Sequence, residues 1–127
     1  MLKLILLAGT GGFLGTVARF LTSRYFVTYF PSSFPYGTFV VNVVGCFLIG
    51  LLYGITEKGD FLSSEWRIFL TVGFCGGFTT FSAFAAENMA MLRDSEYFNF
   101  FLYTGGSIFI GLLATFSGIM LIKILLP

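Results

Sequence analysis

The segment Gly76-Gly77-Phe78-Thr79-Thr80-Phe81-Ser82-Ala83-Phe84 holds the residues of this chain best suited to handling an ion. Two adjacent glycines weaken a helix, and in hydrocarbon an unwound backbone persists only where it lines a cavity or coordinates an ion. Carbonyl oxygens freed between Gly76 and Thr79 suit a hard alkali cation, sodium or potassium. Phe81 and Phe84 are three apart, so on a helix they share a face, with Thr80 and Glu87 close to the same stripe. A phenylalanine ring has a partially positive edge, and rings presented edge-on receive an anion without the desolvation cost of a fixed charge. Among 18 phenylalanines an arbitrary pair is a lipid-facing or core pair; the adjoining break sets this one apart.

Three further polar residues fall within uncharged surroundings. Asn42, with Thr38 one turn before it, places an amide where it is costly unless bonded. Its two donors either hold the helices together or replace water around a strongly hydrated anion. Arg19 shares a face with Gly11 and Gly15, which directs it inward to attract anions, to snorkel to headgroups or to pair with Glu87. Glu87 is the only acid near a span interior, and is either that structural partner or a proton carrier.

These residues must be positioned by helices that cross a membrane. The chain has 127 residues, 10% of them charged and none of them histidine, with a mean hydropathy of +0.93. Charge-free windows run from Leu4 to Ala18, Tyr25 to Thr56, Ile68 to Ala86 and Tyr97 to Ile122. Since roughly 20 apolar residues cross the hydrocarbon, four spans fit in a single domain covering residues 1–127. Span one is expected over Leu2 to Arg24, span two over Tyr36 to Thr56 after the Pro31-Ser32-Ser33-Phe34-Pro35 loop, and span four over Glu96 to Leu126. Span three starts near Glu65 behind a capping Ser63 or Ser64, breaks in mid-membrane near Gly76 to Thr80, and resumes through Phe81 to about Leu92. Met1-Leu2-Lys3 with Leu4 to Ala8 mimics a signal peptide but lacks a small-x-small cleavage site. Cys46 and Cys75, without histidine, make neither a zinc set nor a disulfide framework.

Four helices hardly enclose a polar path, so association is expected. Small residues line Gly11 and Gly15, then Cys46, Gly50 and Gly54, and then Thr104, Ser107, Gly111, Thr115 and Gly118 at spacings of three and four. Lys3, Lys58, Arg67 and Lys123 lie on one side of a four-span arrangement, against Arg19, Arg24 and Arg93 on the other. So weak a bias in basic residues permits insertion both ways, and hence an antiparallel homodimer of identical chains.

The sequence strongly resembles the Fluc, or CrcB, family of fluoride channels over nearly its whole length. The resemblance rests on Gly15 with Arg19, on Gly37-Thr38-Phe39-Val40-Val41-Asn42, on Gly73 through Phe84 with Glu87, and on Tyr103 with Ser107. It implies an all-α integral membrane protein, an antiparallel dual-topology homodimer with two pores in the bacterial inner membrane. Each pore would pass fluoride passively down its gradient and so confer fluoride resistance. It also implies that Phe81 and Phe84 face the pores with Asn42, that Gly76 and Thr79 carbonyls hold a structural sodium at the dimer interface, and that Arg19 is the vestibule cation, with Glu87 close by. Thr38, Tyr103, Ser107, Thr80 and Ser82 match polar positions near the ion path. Relatives commonly read TTFSTFS; here Ala83 and Ala85 lack two hydroxyls, which implies a shorter or differently hydrated polar track.

The competing function is a small multidrug-type exporter, also of four spans and dual topology, which couples substrate to protons through an intramembrane acid; span one here has no acid, leaving only Glu87. A noncatalytic assembly subunit is a third class, motivated by the small-residue stripes. Enzymatic chemistry is not expected, because no nucleophile-and-base or metal set is present, and nothing points to nucleic acid.

Overall fold

Nothing in the sequence before Pro31 stops a helix, and the first helix uses that freedom. In the computed structural model, which describes residues Met1–Pro127, α1 covers Leu2–Tyr29, more than a turn beyond the expected end at Arg24. It finishes in a cluster of Tyr25, Phe26, Tyr29 and Phe30, with ring centroids 5.0 to 6.1 Å apart. Aromatic rings of this kind suit the membrane–water boundary.

After the proline loop, α2 covers Tyr36–Glu57. Next comes α3, Ser64–Arg67, which Ser63 caps by accepting the Trp66 N–H at 3.2 Å, with Glu65 in its first turn as expected. It continues as a π-helical stretch, Ile68–Cys75, and then as α4, Gly76–Phe78. Helix α5 covers Phe81–Arg93 and α6 covers Tyr97–Leu125. Taking Ser64–Arg93 as one span, the chain has four helices long and apolar enough to cross a membrane.

The interruption in that span is narrower than expected, and the glycines do not make it. Gly76 and Gly77 are helical, whereas Thr79 (φ −92°, ψ 159°) and Thr80 (φ −152°, ψ 119°) are extended. β-Branched threonines tolerate extended backbone well, and their hydroxyls can bond the groups that unwinding frees. The Thr79 hydroxyl donates to the Cys75 carbonyl at 2.9 Å, and the Thr80 hydroxyl accepts the Ala83 N–H at 3.2 Å to cap α5. Gly77 instead serves close packing: a Cβ there would lie 2.5 Å from the Gly12 carbonyl oxygen and 3.0 Å from Thr16 Oγ1.

Span three changes neighbour across the break. The π-helical stretch and α4 pack on α1, whereas α5 packs on α6, which lies along α2. The glycine stripes make these approaches possible. Gly11 and Gly15 admit the backbone of Phe69, Gly73 and Phe74, while Gly50 and Gly118 bring α2 and α6 into backbone contact at Thr115 and Phe47. These seams are therefore used between helices of one chain, and association between chains needs other surfaces. Val41 and Tyr103 are fully buried at the centre.

Candidate functional site

Asn42 is the residue that holds the break open. Its Oδ1 accepts the Thr80 N–H at 2.8 Å and its Nδ2 donates to the Thr80 carbonyl at 3.1 Å, so one side chain pairs with both polar groups of an unwound residue. In a continuous helix the Thr80 N–H would have bonded to Gly76, so the Gly76 carbonyl loses its helical donor. The Thr79 carbonyl accepts no hydrogen bond within the chain. One turn along α2, the absence of a side chain at Gly45 makes room for the Thr79 methyl group. Asn42 and Gly45 thus dock the two extended residues by polar and steric fit respectively.

Beside this junction lies an open cleft of about 360 Å³ that brings together Asn42, Thr79, Thr80, Phe81, Phe84 and Ser107. The Phe81 and Phe84 ring centroids are 5.7 Å apart, and Phe81 is 79% exposed. Ser107 contributes a buried hydroxyl with no hydrogen-bond partner, which leaves its donor and acceptor capacity for whatever enters. The Thr80 hydroxyl lies 3.3 Å from that of Ser82. An amide, hydroxyls and two phenylalanine rings therefore converge on one side of the break.

Glu87 belongs to a neighbouring cluster. Its Oε2 accepts from the Thr38 hydroxyl at 2.8 Å and its Oε1 from the Tyr103 hydroxyl at 3.0 Å, and the Tyr103 ring packs on Phe84 with centroids 5.0 Å apart. Thr38 and Glu87 also line a second cavity of about 220 Å³ under the loop between α1 and α2. The expected alternative of an Arg19–Glu87 pair is not formed. Arg19 Nε donates to the Gly77 carbonyl at 2.9 Å, because the Gly11–Gly15–Arg19 face of α1 runs along the π-helical stretch and α4 rather than toward α5. The guanidinium keeps its other N–H donors.

Residues 6–119 match the family described as CrcB-like protein, Camphor Resistance (CrcB). The chain belongs to the CrcB-like family. A relative from Flavobacterium psychrophilum, named fluoride-specific ion channel FluC, is 44% identical over 96% of this chain and 98% of its own length. Relatives of the same name from Chlorobium luteolum (49% identical, over 94% of this chain and 92% of the relative) and Chlorobaculum tepidum (44%, over 98% of each) match equally broadly. With its four spanning helices, this CrcB-like chain is a multi-pass membrane protein.

Two site residues of this CrcB-like chain escape a reading of sequence alone. Asn88, buried, donates to the Phe84 carbonyl at 3.1 Å and accepts the Thr104 hydroxyl at 3.0 Å, which ties the phenylalanine-bearing turn of α5 to α6. An amide beside Glu87 in an apolar span was the available signal. Phe34 stacks edge-on against Tyr103, with centroids 5.4 Å apart and planes at 76°, and carried no signal among so many phenylalanines.

Proposed function

We propose that this chain is the subunit of a fluoride-selective channel that passes fluoride passively down its electrochemical gradient. The observation that carries this reading is the cleft lined by Ser107, Asn42, Phe81 and Phe84 beside the break, with an unpartnered hydroxyl at Ser107. A strongly hydrated anion must exchange water for donors when it enters hydrocarbon, and neutral donors do so without trapping it. Fluoride as the ion rests on the name shared by the relatives. The cleft is open on the face of a single chain, so a second, antiparallel copy would close it and give two pores per dual-topology homodimer. The bacterial inner membrane is the place in which such a channel protects the cytoplasm.

The break lies at the membrane midplane in this reading, and the Gly76 and Thr79 carbonyls fit a structural sodium. They are neutral, hard oxygens without helical donors, and a second copy at a twofold axis would double their number. Bound there, the cation would supply positive charge that steadies the dimer and offsets nearby anions. Glu87, with both oxygens engaged by hydroxyls, is a structural acid in this scheme, which leaves a proton-coupled exporter without its carrier.

Purified protein in liposomes should dissipate a fluoride gradient within seconds while retaining chloride, with no pH gradient needed. Retained fluoride would overturn the channel reading, and transport that stops without a proton gradient would restore the exporter. Replacing sodium by N-methylglucamine throughout purification should shift the protein from dimer toward monomer on size exclusion. Indifference to every alkali cation would remove sodium from Gly76 and Thr79.

A further inference from the structure

We propose that the cleft between the end of α2 and the start of span three is a binding site for an anionic phospholipid, with Arg67 as its phosphate ligand. The cleft, about 370 Å³, is graded along its length. At its outer end stand Thr56, Ser64 and Arg67, and inward from them stand Ile49, Leu52 and Val72, with Thr71 the one polar residue at that depth. Thr56 lies next to the last residue of α2 and Ser64 opens α3, so the polar end is at the membrane boundary. At about 1.5 Å per residue, Ile49 and Val72 lie on the order of 10 Å deeper, at the level of upper acyl chain.

Charge selects the occupant. Arg67 makes no ion pair or side-chain hydrogen bond within the chain, and the acid nearest to it in sequence, Glu65, is held by Lys3 at 2.8 Å. Arg67, left free beside the Ser64 hydroxyl, matches a phosphodiester, while the Thr56 hydroxyl is already donated to the Leu52 carbonyl at 2.9 Å; basic pockets between transmembrane helices recognise lipid headgroups in this way. The mainly apolar floor, with Thr71 its one hydroxyl, suits the first carbons of a diacyl chain better than a small soluble anion. The site is independent of the cleft at Asn42, and its test does not depend on fluoride transport.

Native mass spectrometry of the full-length protein from a nonionic detergent, with phosphatidylglycerol or phosphatidylcholine of identical acyl chains added, reads the site directly. Phosphatidylglycerol should be retained in preference, and Arg67→Gln should lower its occupancy about fivefold, the equivalent of one basic residue at an anionic surface. Arg67→Lys should keep most of it, which guards against a variant that merely misfolds, and Val72→Trp should lower it by filling the apolar end. Equal retention of the two lipids overturns the proposal, as does full retention in Arg67→Gln. Competition by soluble glycerol phosphate as strong as by intact lipid, or a second copy seated in the cleft and excluding lipid, overturns it equally.

Discussion

Fluoride efflux from liposomes bearing Asn42→Leu is expected to fall by about tenfold or more, and the same substitution to lower the melting temperature. Leucine fills much of the same volume but cannot pair with Thr80, whose N–H and carbonyl are then both left without partners in a half-buried place. Each orphaned backbone group costs about 1–3 kcal/mol, and every ~1.4 kcal/mol that enters the barrier slows passage tenfold. The extended pair has a second option, to wind into a continuous helix by returning the Thr80 N–H to the Gly76 carbonyl. That would remove the free carbonyls and turn Phe81 away from the cleft. Asn42→Asp separates the contributions: a carboxylate still accepts the Thr80 N–H but cannot donate to its carbonyl, and it adds a negative charge on the proposed anion path. Efflux should therefore fall at least as far, with a smaller loss of stability. Lost flux at wild-type melting temperature in Asn42→Leu would mean that the amide serves the ion and not the break; unchanged flux would remove it from both.

Phe81→Ile and Phe84→Ile should both slow fluoride efflux, roughly three- to tenfold per ring, the equivalent of the ~0.5–1.5 kcal/mol carried by one aromatic contact. Their effects on stability should differ. Phe81 is largely exposed and Phe84 is half-buried against Tyr103, so Phe84→Ile should cost about 1 kcal/mol more in unfolding than Phe81→Ile. Isoleucine preserves apolarity and much of the volume, so a flux defect in Phe81→Ile at unchanged melting temperature isolates the ring itself. Wild-type flux in both variants would exclude the rings from ion passage.

Much of the candidate site was legible because hydrocarbon constrains what a sequence can contain. An amide at Asn42, an acid at Glu87 and a cation at Arg19 stand out in uncharged spans, since each needs a partner there. Their partners were not legible. Asn42 and Thr80 are 38 residues apart, and Thr38 and Glu87 are 49 apart, separations over which no local periodicity speaks. Arg19 had three readings, an anion at a vestibule, lipid headgroups or Glu87, and none of them named the Gly77 carbonyl that its Nε meets on the face shared with Gly11 and Gly15. The break expected over Gly76 to Thr80 contains the observed one at Thr79 and Thr80, but Gly76 to Phe78 stay helical. Glycine both weakens helices and lets helices touch, and only the packing on α1 decides which property is used.

By itself the sequence determined the four apolar spans, the interruption of the third, the set of polar residues confined within the four and the family resemblance, since length, hydropathy and motif are properties of the chain read in order. Tertiary structure decided that Thr79 and Thr80 carry the interruption, that Asn42 holds them, that Glu87 binds two hydroxyls and that the glycine seams close within one chain. The reason is that hydrocarbon offers no water to an unpaired polar group. Each such group must find its partner on another helix, and which helix is near is a matter of packing.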